Sequence, residues 1–207
     1  MKKNEWVWCG VSSHPLLESN CVPLVLEVEE DKGNSGGNKV KGWSHPVDGW
    51  LKCNIALVWS TRNKIGGGAW VVRNDEGKVL VHSRKVFCGS NNKKEAMLMC
   101  LIWALESLLS LKMDKIIFAA EAHDIFGAIG RPKAWPSLTQ QVVEINQFLD
   151  KFKDWRLEVE SVNSNRGTSL IAKSVISDGR FHDYIASGHP SWLHRVFEDE
   201  RLASFAQ

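Results

Sequence analysis

Apolar and polar residues alternate from residue 51 onward: Leu51, Cys53, Ile55, Leu57 and Trp59 fall at every second position. A period of two sends successive side chains to opposite faces, so residues 51–59 predict a strand with one buried face. Thr61-Arg62-Asn63-Lys64 supplies a turn, and the runs 69–73 and 79–86, separated by Asn74-Asp75-Glu76-Gly77, predict two more strands. These three make an antiparallel meander. From Lys94 to about Leu111 the chain switches to helix formers with apolar residues on nearly every side, which predicts a broadly buried helix. Ile116-Ile117-Phe118 is a continuous apolar run inside 115–120, as a central strand requires. Residues 136–150 form an amphipathic helical pattern with Pro136 near its start, where the missing amide proton costs nothing. Alternation returns over 155–162, and 168–177 predict a last helix. The order of three strands, helix, strand, helix, strand, helix predicts an α/β domain: a mixed five-stranded sheet, made of the meander plus parallel strands and flanked by helices.

Residues 28–42 break this patterning with charge, glycine and asparagine, too little apolar content to offset the entropy of ordering a backbone. The expected organisation is an N-terminal segment and flexible linker over 1–41 and one domain with a C-terminal tail over 42–207. The segment carries Trp6, Trp8 and the apolar stretch Val22 to Leu26, too little for its own core but enough to dock on a protein partner. A chain of 207 residues at 43% hydrophobic suits one core. Its net charge of +2, from 26 basic and 24 acidic residues, gives no global pull on nucleic acid, so any such binding needs a local patch.

The five cysteines, Cys9, Cys21, Cys53, Cys88 and Cys100, are odd in number and lack CxxC spacing. They predict buried thiols in a reducing compartment, cytoplasmic or nuclear, rather than a disulfide framework or zinc site. No apolar region follows Lys2 and Lys3, and no run approaches membrane-spanning length, so no membrane association is expected. Most of the ten tryptophans fall on apolar faces or at element ends and read as core.

Several stretches carry a resemblance. They are Trp43-x-x-Pro46-x-x-Gly49-Trp50-Leu51-Lys52-Cys53-Asn54, the glycine-rich turn Gly66-Gly67-Gly68 before Val71 to Gly77, the Glu95-Ala96 helix start, Asn165, and Pro190-Ser191-Trp192-Leu193. With the element order, they resemble the plant ribonuclease H-like domain associated with retroelement reverse transcriptases, over roughly residues 42–202. The resemblance implies a ribonuclease H-like fold and an ancestry in binding RNA or RNA/DNA hybrids. Four carboxylates then hold two divalent ions that activate water and stabilise the leaving oxygen.

In this chain the four positions read differently. Ala56 stands where the first strand has its central aspartate. Glu95 matches the helix glutamate, and Glu121 of Phe118-Ala119-Ala120-Glu121 replaces the fourth-strand aspartate with a longer side chain. Ser169 occupies the last-helix position, where the family has aspartate or sometimes histidine. No aspartate lies between Asp48 and Asp75 to take over from Ala56. With half the anionic ligands gone, no ordered two-metal centre and no cofactor are expected, magnesium or manganese being needed only if the enzyme is active.

Glu95 is either a remnant ligand or a carboxylate drawn to a helix dipole. His123 and Asp124 offer substitute ligands but read better as a solvated loop. Gly66-Gly67-Gly68 is not a phosphate loop, since no Lys-Ser or Lys-Thr follows. Candidate phosphate contacts are Arg62 and Lys64, Lys93 and Lys94, and Asn165 and Arg166. The expected protein is a monomeric, catalytically impaired hybrid ribonuclease relative; the alternatives are an active metal-dependent endonuclease and a protein-interaction module.

Overall fold

The computed structural model describes residues 42–179 and 182–204, so the segment and linker expected over 1–41 lie outside the described residues. Strands β1 (Leu51–Ser60), β2 (Ile65–Arg73) and β3 (Val79–Phe87) form the meander. Helix α1 (Lys93–Ser110) leads to β4 (Ile116–Ala120), α2 (His123–Gly130), α3 (Thr139–Leu149), β5 (Trp155–Val159) and α4 (Arg166–Ser177). Strand β6 (Tyr184–Ser187) and α5 (His194–Ser204) close the described chain. The sheet order is β5-β4-β1-β2-β3-β6, with β4 and β5 parallel to β1 and the remaining pairs antiparallel.

Two expectations are corrected. The sheet has six strands rather than five, because β6 adds to the edge of β3 with Val81 opposite Ser187 and Arg84 opposite Tyr184. Its four residues are too few for alternation to register, and the edge of β3 supplies its pairing. The loop expected around His123 and Asp124 is the first turn of α2, held by the helix-spaced apolar residues Ile125, Phe126, Ala128 and Ile129. The helical pattern from Pro136 begins with a single 3-10 turn, Pro136–Leu138, before α3.

The alternation in β1 sorts two cores. Cys53 and Ile55 pack with Leu101, Leu105 and Leu108 of α1 and Val142 and Ile145 of α3. On the other face Ala56 packs with Ala69, Ile171, Ala172 and Phe197. Helix α4 lies so close to β2 that a Cβ on Gly67 would stand 2.4 Å from the Ala172 carbonyl oxygen, so only glycine fits there. Arg73, fully buried, sits between the Trp43 ring at 4.3 Å and the Phe197 ring at 4.7 Å and pairs with Glu200. Glu200 also accepts the Gly167 amide at 3.0 Å, tying α5 to both β2 and α4. Cys53 and Cys100 are buried thiols and burial raises the pKa of both, whereas Cys88 is exposed. Among the described residues no helix is long and apolar enough to cross a membrane.

Candidate active site

In the parallel pair β1–β4 the residue Ile55 stands level with Ala120, so the chain's next residues, Ala56 and Glu121, come side by side where β4 ends. Asn165 precedes α4, is fully buried, and donates from Nδ2 to the Ile55 carbonyl at 2.9 Å. Ser169 follows one turn later, its amide donating to the Asn165 carbonyl at 2.9 Å. The fold thus gathers Ala56, Glu121 and Ser169 about one junction of β1, β4 and α4. Asn165 acts there as a strut holding α4 to β1.

Glu95 belongs to the opposite helix layer. Its neighbour Ala96 lies against Gly66, which pairs with Trp59 three residues beyond Ala56. The Glu95 carboxylate accepts the Asn91 amide at 2.8 Å and the Asn91 side chain at 3.1 Å, while the Glu95 amide donates to Asn92 Oδ1 at 2.9 Å. Asn92 thus caps α1, and the Glu95 carboxylate turns back onto Asn91, the residue before the cap.

Ala56 is 5% exposed and sealed by Ala69, Ile171 and Ala172. Its methyl side chain offers no ligand atom. Glu121 has an open side, yet burial pushes its carboxyl above the ordinary range, opposed by a hydrogen bond from Asn165 and by the charge of Lys93. Asp124 lies 3.4 Å from Lys94, whose ammonium also stands over the Trp135 ring at 5.4 Å. Among the described residues no three His, Cys, Asp or Glu side chains are placed to hold a metal ion. Magnesium wants several hard anionic oxygens in near-octahedral array. One open carboxylate, one carboxylate bonded to Asn91, a serine and a sealed alanine do not meet that demand, so the residues present do not fit a two-metal centre.

Beneath the junction lies a buried ionic pair that the alternation of β1 left unassigned. Lys52, 1% exposed, contacts Glu160 at 2.6 Å and Glu158 at 3.0 Å. Asn54, one pleat along, accepts the Trp43 indole N–H at 2.8 Å. The available signal was the run of polar residues on the face of β1 that carries Ala56, since a central strand covered on both faces must bury them.

The candidate cations share one end of the sheet for a topological reason. The β1–β2 turn, the start of α1 and the start of α4 all lie at the carboxyl end of the parallel strands, where open α/β sheets build sites. Arg62, Lys64, Lys93 and Arg166 are therefore exposed at the same end as the junction, with Lys94 half-buried beside them.

Residues 54–175 match the sequence family described as reverse transcriptase-like. Among solved structures, RNase H1 from the halophilic archaeon Halobacterium salinarum is similar at 18% identity and TM-score 0.55, covering 63% of this chain and 99% of its own. The N-terminal RNase H domain of a Mycobacterium tuberculosis protein is similar at 16% identity and TM-score 0.52, covering 62% of this chain and 94% of its own. LC11-RNase H1, isolated from compost by a metagenomic approach and solved in complex with an RNA/DNA hybrid, is 14% identical at TM-score 0.53, covering 62% and 98%. Identities this low speak for the fold, not for the chemistry. No curated protein sequence matches. The family match spans more than half of the 207 residues and the sheet order agrees with it, so this chain belongs to the reverse transcriptase-like family and carries its ribonuclease H-like fold.

Proposed function

We propose that this chain is a ribonuclease H-like domain of retroelement descent that binds RNA/DNA hybrids without cleaving them. The observation that carries the reading is Ala56: at the central ligand position stands an apolar side chain, 5% exposed and packed in a hydrophobic cluster. The Asn91 bonding of Glu95 and the Lys94 pairing of Asp124 argue against a rebuilt metal site from the remaining carboxylates. Hybrid binding is supported by the exposure of Arg62, Lys64, Lys93 and Arg166 at one end of the sheet and by the hybrid complex of the similar LC11-RNase H1. Phosphates held by such loops are bound without sequence preference. The buried free thiols favour a reducing compartment, cytoplasm or nucleus, and we take the chain as a monomer there.

The test is an end-labelled RNA/DNA hybrid incubated with the protein in magnesium and then manganese, beside Glu95→Gln and Glu121→Gln variants. Binding without cleavage in all three proteins is expected. Cleavage that disappears in the Glu121→Gln variant would sink the reading and establish an active endonuclease.

A further inference from the structure

We propose a second nucleic-acid site, a groove between α4, β3 and β6 that takes an unstacked base and its phosphate from a single strand. The proposal rests on the reading of this chain as a nucleic-acid-binding domain and adds a site away from the ancestral ligand positions. The groove has a volume of about 570 Å³. That lies within the roughly 300–1,000 Å³ of small-ligand sites and is enough for a nucleotide unit.

Its walls combine two cations with two aromatic rings. Arg84 comes from β3, Lys173 and Ser174 from α4, Tyr184 from β6, and Trp192 from the Ser191–Leu193 turn. Trp192 is 59% exposed, a large indole face held at the rim of a cavity rather than in the core. Arg84 is fixed by a bond from Nη1 to the Ser174 hydroxyl at 3.0 Å and by packing over the Tyr184 ring at 5.1 Å. Its Nε is buried with no hydrogen-bond partner among the described residues, so the Nη atoms are left to face the groove. The one carboxylate in the wall, Asp178, is 4.0 Å from Arg84 and 47% exposed, so water screens it and the groove keeps a positive balance.

An exposed flat ring beside fixed cations suits a base and its phosphate together. A phosphorylated peptide would use the cations and leave the indole idle. The groove begins one helical turn beyond Ser169, so a strand leaving the junction along α4 meets it directly. Arg84, Leu170, Lys173 and Ser174 lie inside the matched residues 54–175, and Ser177, Asp178, Tyr184 and Trp192 complete the groove from beyond them.

The experiment measures binding of labelled oligouridylate, oligothymidylate and an RNA/DNA hybrid to the full chain and to Trp192→Ala and Lys173→Glu variants. Trp192 is largely exposed, so its replacement leaves the fold intact, which thermal melting verifies. Trp192→Ala should weaken single-strand binding roughly tenfold and leave hybrid binding unchanged, since stacked bases cannot reach the indole. Lys173→Glu should lower the slope of log affinity against log salt by about 0.7 or more on the single strand. Binding of either oligonucleotide supports the site, and their ratio reports whether the 2′-hydroxyl is read. Hybrid binding with no single-strand binding overturns the groove while the proposed function stands. Trp192-dependent single-strand binding without hybrid binding overturns the proposed function while the groove stands. Single-strand binding insensitive to both variants, or displaced more readily by a phosphoserine peptide than by oligonucleotide, overturns the groove.

Discussion

Replacing Ala56 by aspartate places a carboxylate at the position proposed above as the central ligand position and tests whether this scaffold has room for one. The side chain is 5% exposed and faces Ala69, Ile171 and Ala172, with α4 pressed to the sheet. Added atoms in a packed core cost about 1–3 kcal/mol by displacement alone, and an unpaired buried charge adds several more unless it protonates. A total of about 3 kcal/mol is a minimum, which lowers the melting temperature by roughly 6–12 °C in a domain of this size. Ala56→Asn has nearly the same shape without the charge, so the difference between the two variants isolates ionisation. The sign follows from linkage. Burial raises the folded aspartate above its unfolded value of about 3.9, so the excess cost is present above the folded pKa and fades as pH falls toward the unfolded one.

Urea titrations of the three proteins from neutral to acid pH read this directly, repeated with magnesium present. An aspartate variant as stable as the parent at neutral pH would refute the packing argument. A large gain on adding magnesium would refute the claim that the site cannot hold metal, since saturation at a hundred times Kd supplies about 2.7 kcal/mol.

Gly67→Ala drives a methyl into the Ala172 carbonyl, so a loss of about 1–3 kcal/mol in chemical denaturation is expected, with no loss marking α4 as free to move. Lys52→Met leaves Glu160 buried without its partner and should cost about 3–5 kcal/mol, most of it recovered when Glu160→Gln is added. His82 is held between the Gly188 carbonyl at 2.6 Å and the Tyr184 hydroxyl at 3.2 Å, and burial, aided by His189 and Arg84, lowers its pKa. The unfolded chain then binds the proton more readily, so stability falls as pH drops through about 6.5, and urea midpoints should lose this step in His82→Gln.

The meander, α1 and β4 were legible because their periodicity is long and bounded by turn residues; β6 and α2 were not. Tyr184-Ile185-Ala186-Ser187 becomes a strand only because β3 offers an unpaired edge, a tertiary fact. The apolar face of α2 spans barely two turns, and His123 and Asp124 at its start read as loop. At the site, residue identities were legible, including an alanine at position 56. Burial did not follow from them: Asn165 looks like a phosphate contact in sequence and is an interior strut in space. Lys52 looks like the solvated face of a strand and is an interior charge, because β1 lies in the middle of the sheet with helices on both sides.

The two candidate carboxylates, Glu95 and Glu121, differ in what they do for the fold. Glu95 ties the loop residue Asn91 to the first turn of α1 through two hydrogen bonds. Glu121 works against stability: partial burial and the nearby Glu160 raise its pKa more than Asn165 and Lys93 lower it. Between the unfolded value of about 4.3 and its raised folded value, the folded chain binds more protons, so stability declines as pH climbs through that window and stays lower above it. Glu121→Gln should therefore raise the urea midpoint at neutral pH, the gain vanishing in acid below the window. A destabilised glutamine variant would mean that the Asn165 bond and the Lys93 attraction outweigh burial, making Glu121 structural like Glu95. If the gain is seen, Glu121 is a residue held against the interest of the fold, the signature of a group placed for a ligand. The junction would then hold one carboxylate beside Lys93 that the fold does not need, and Glu121 rather than Glu95 would be the residue to test for a cationic ligand.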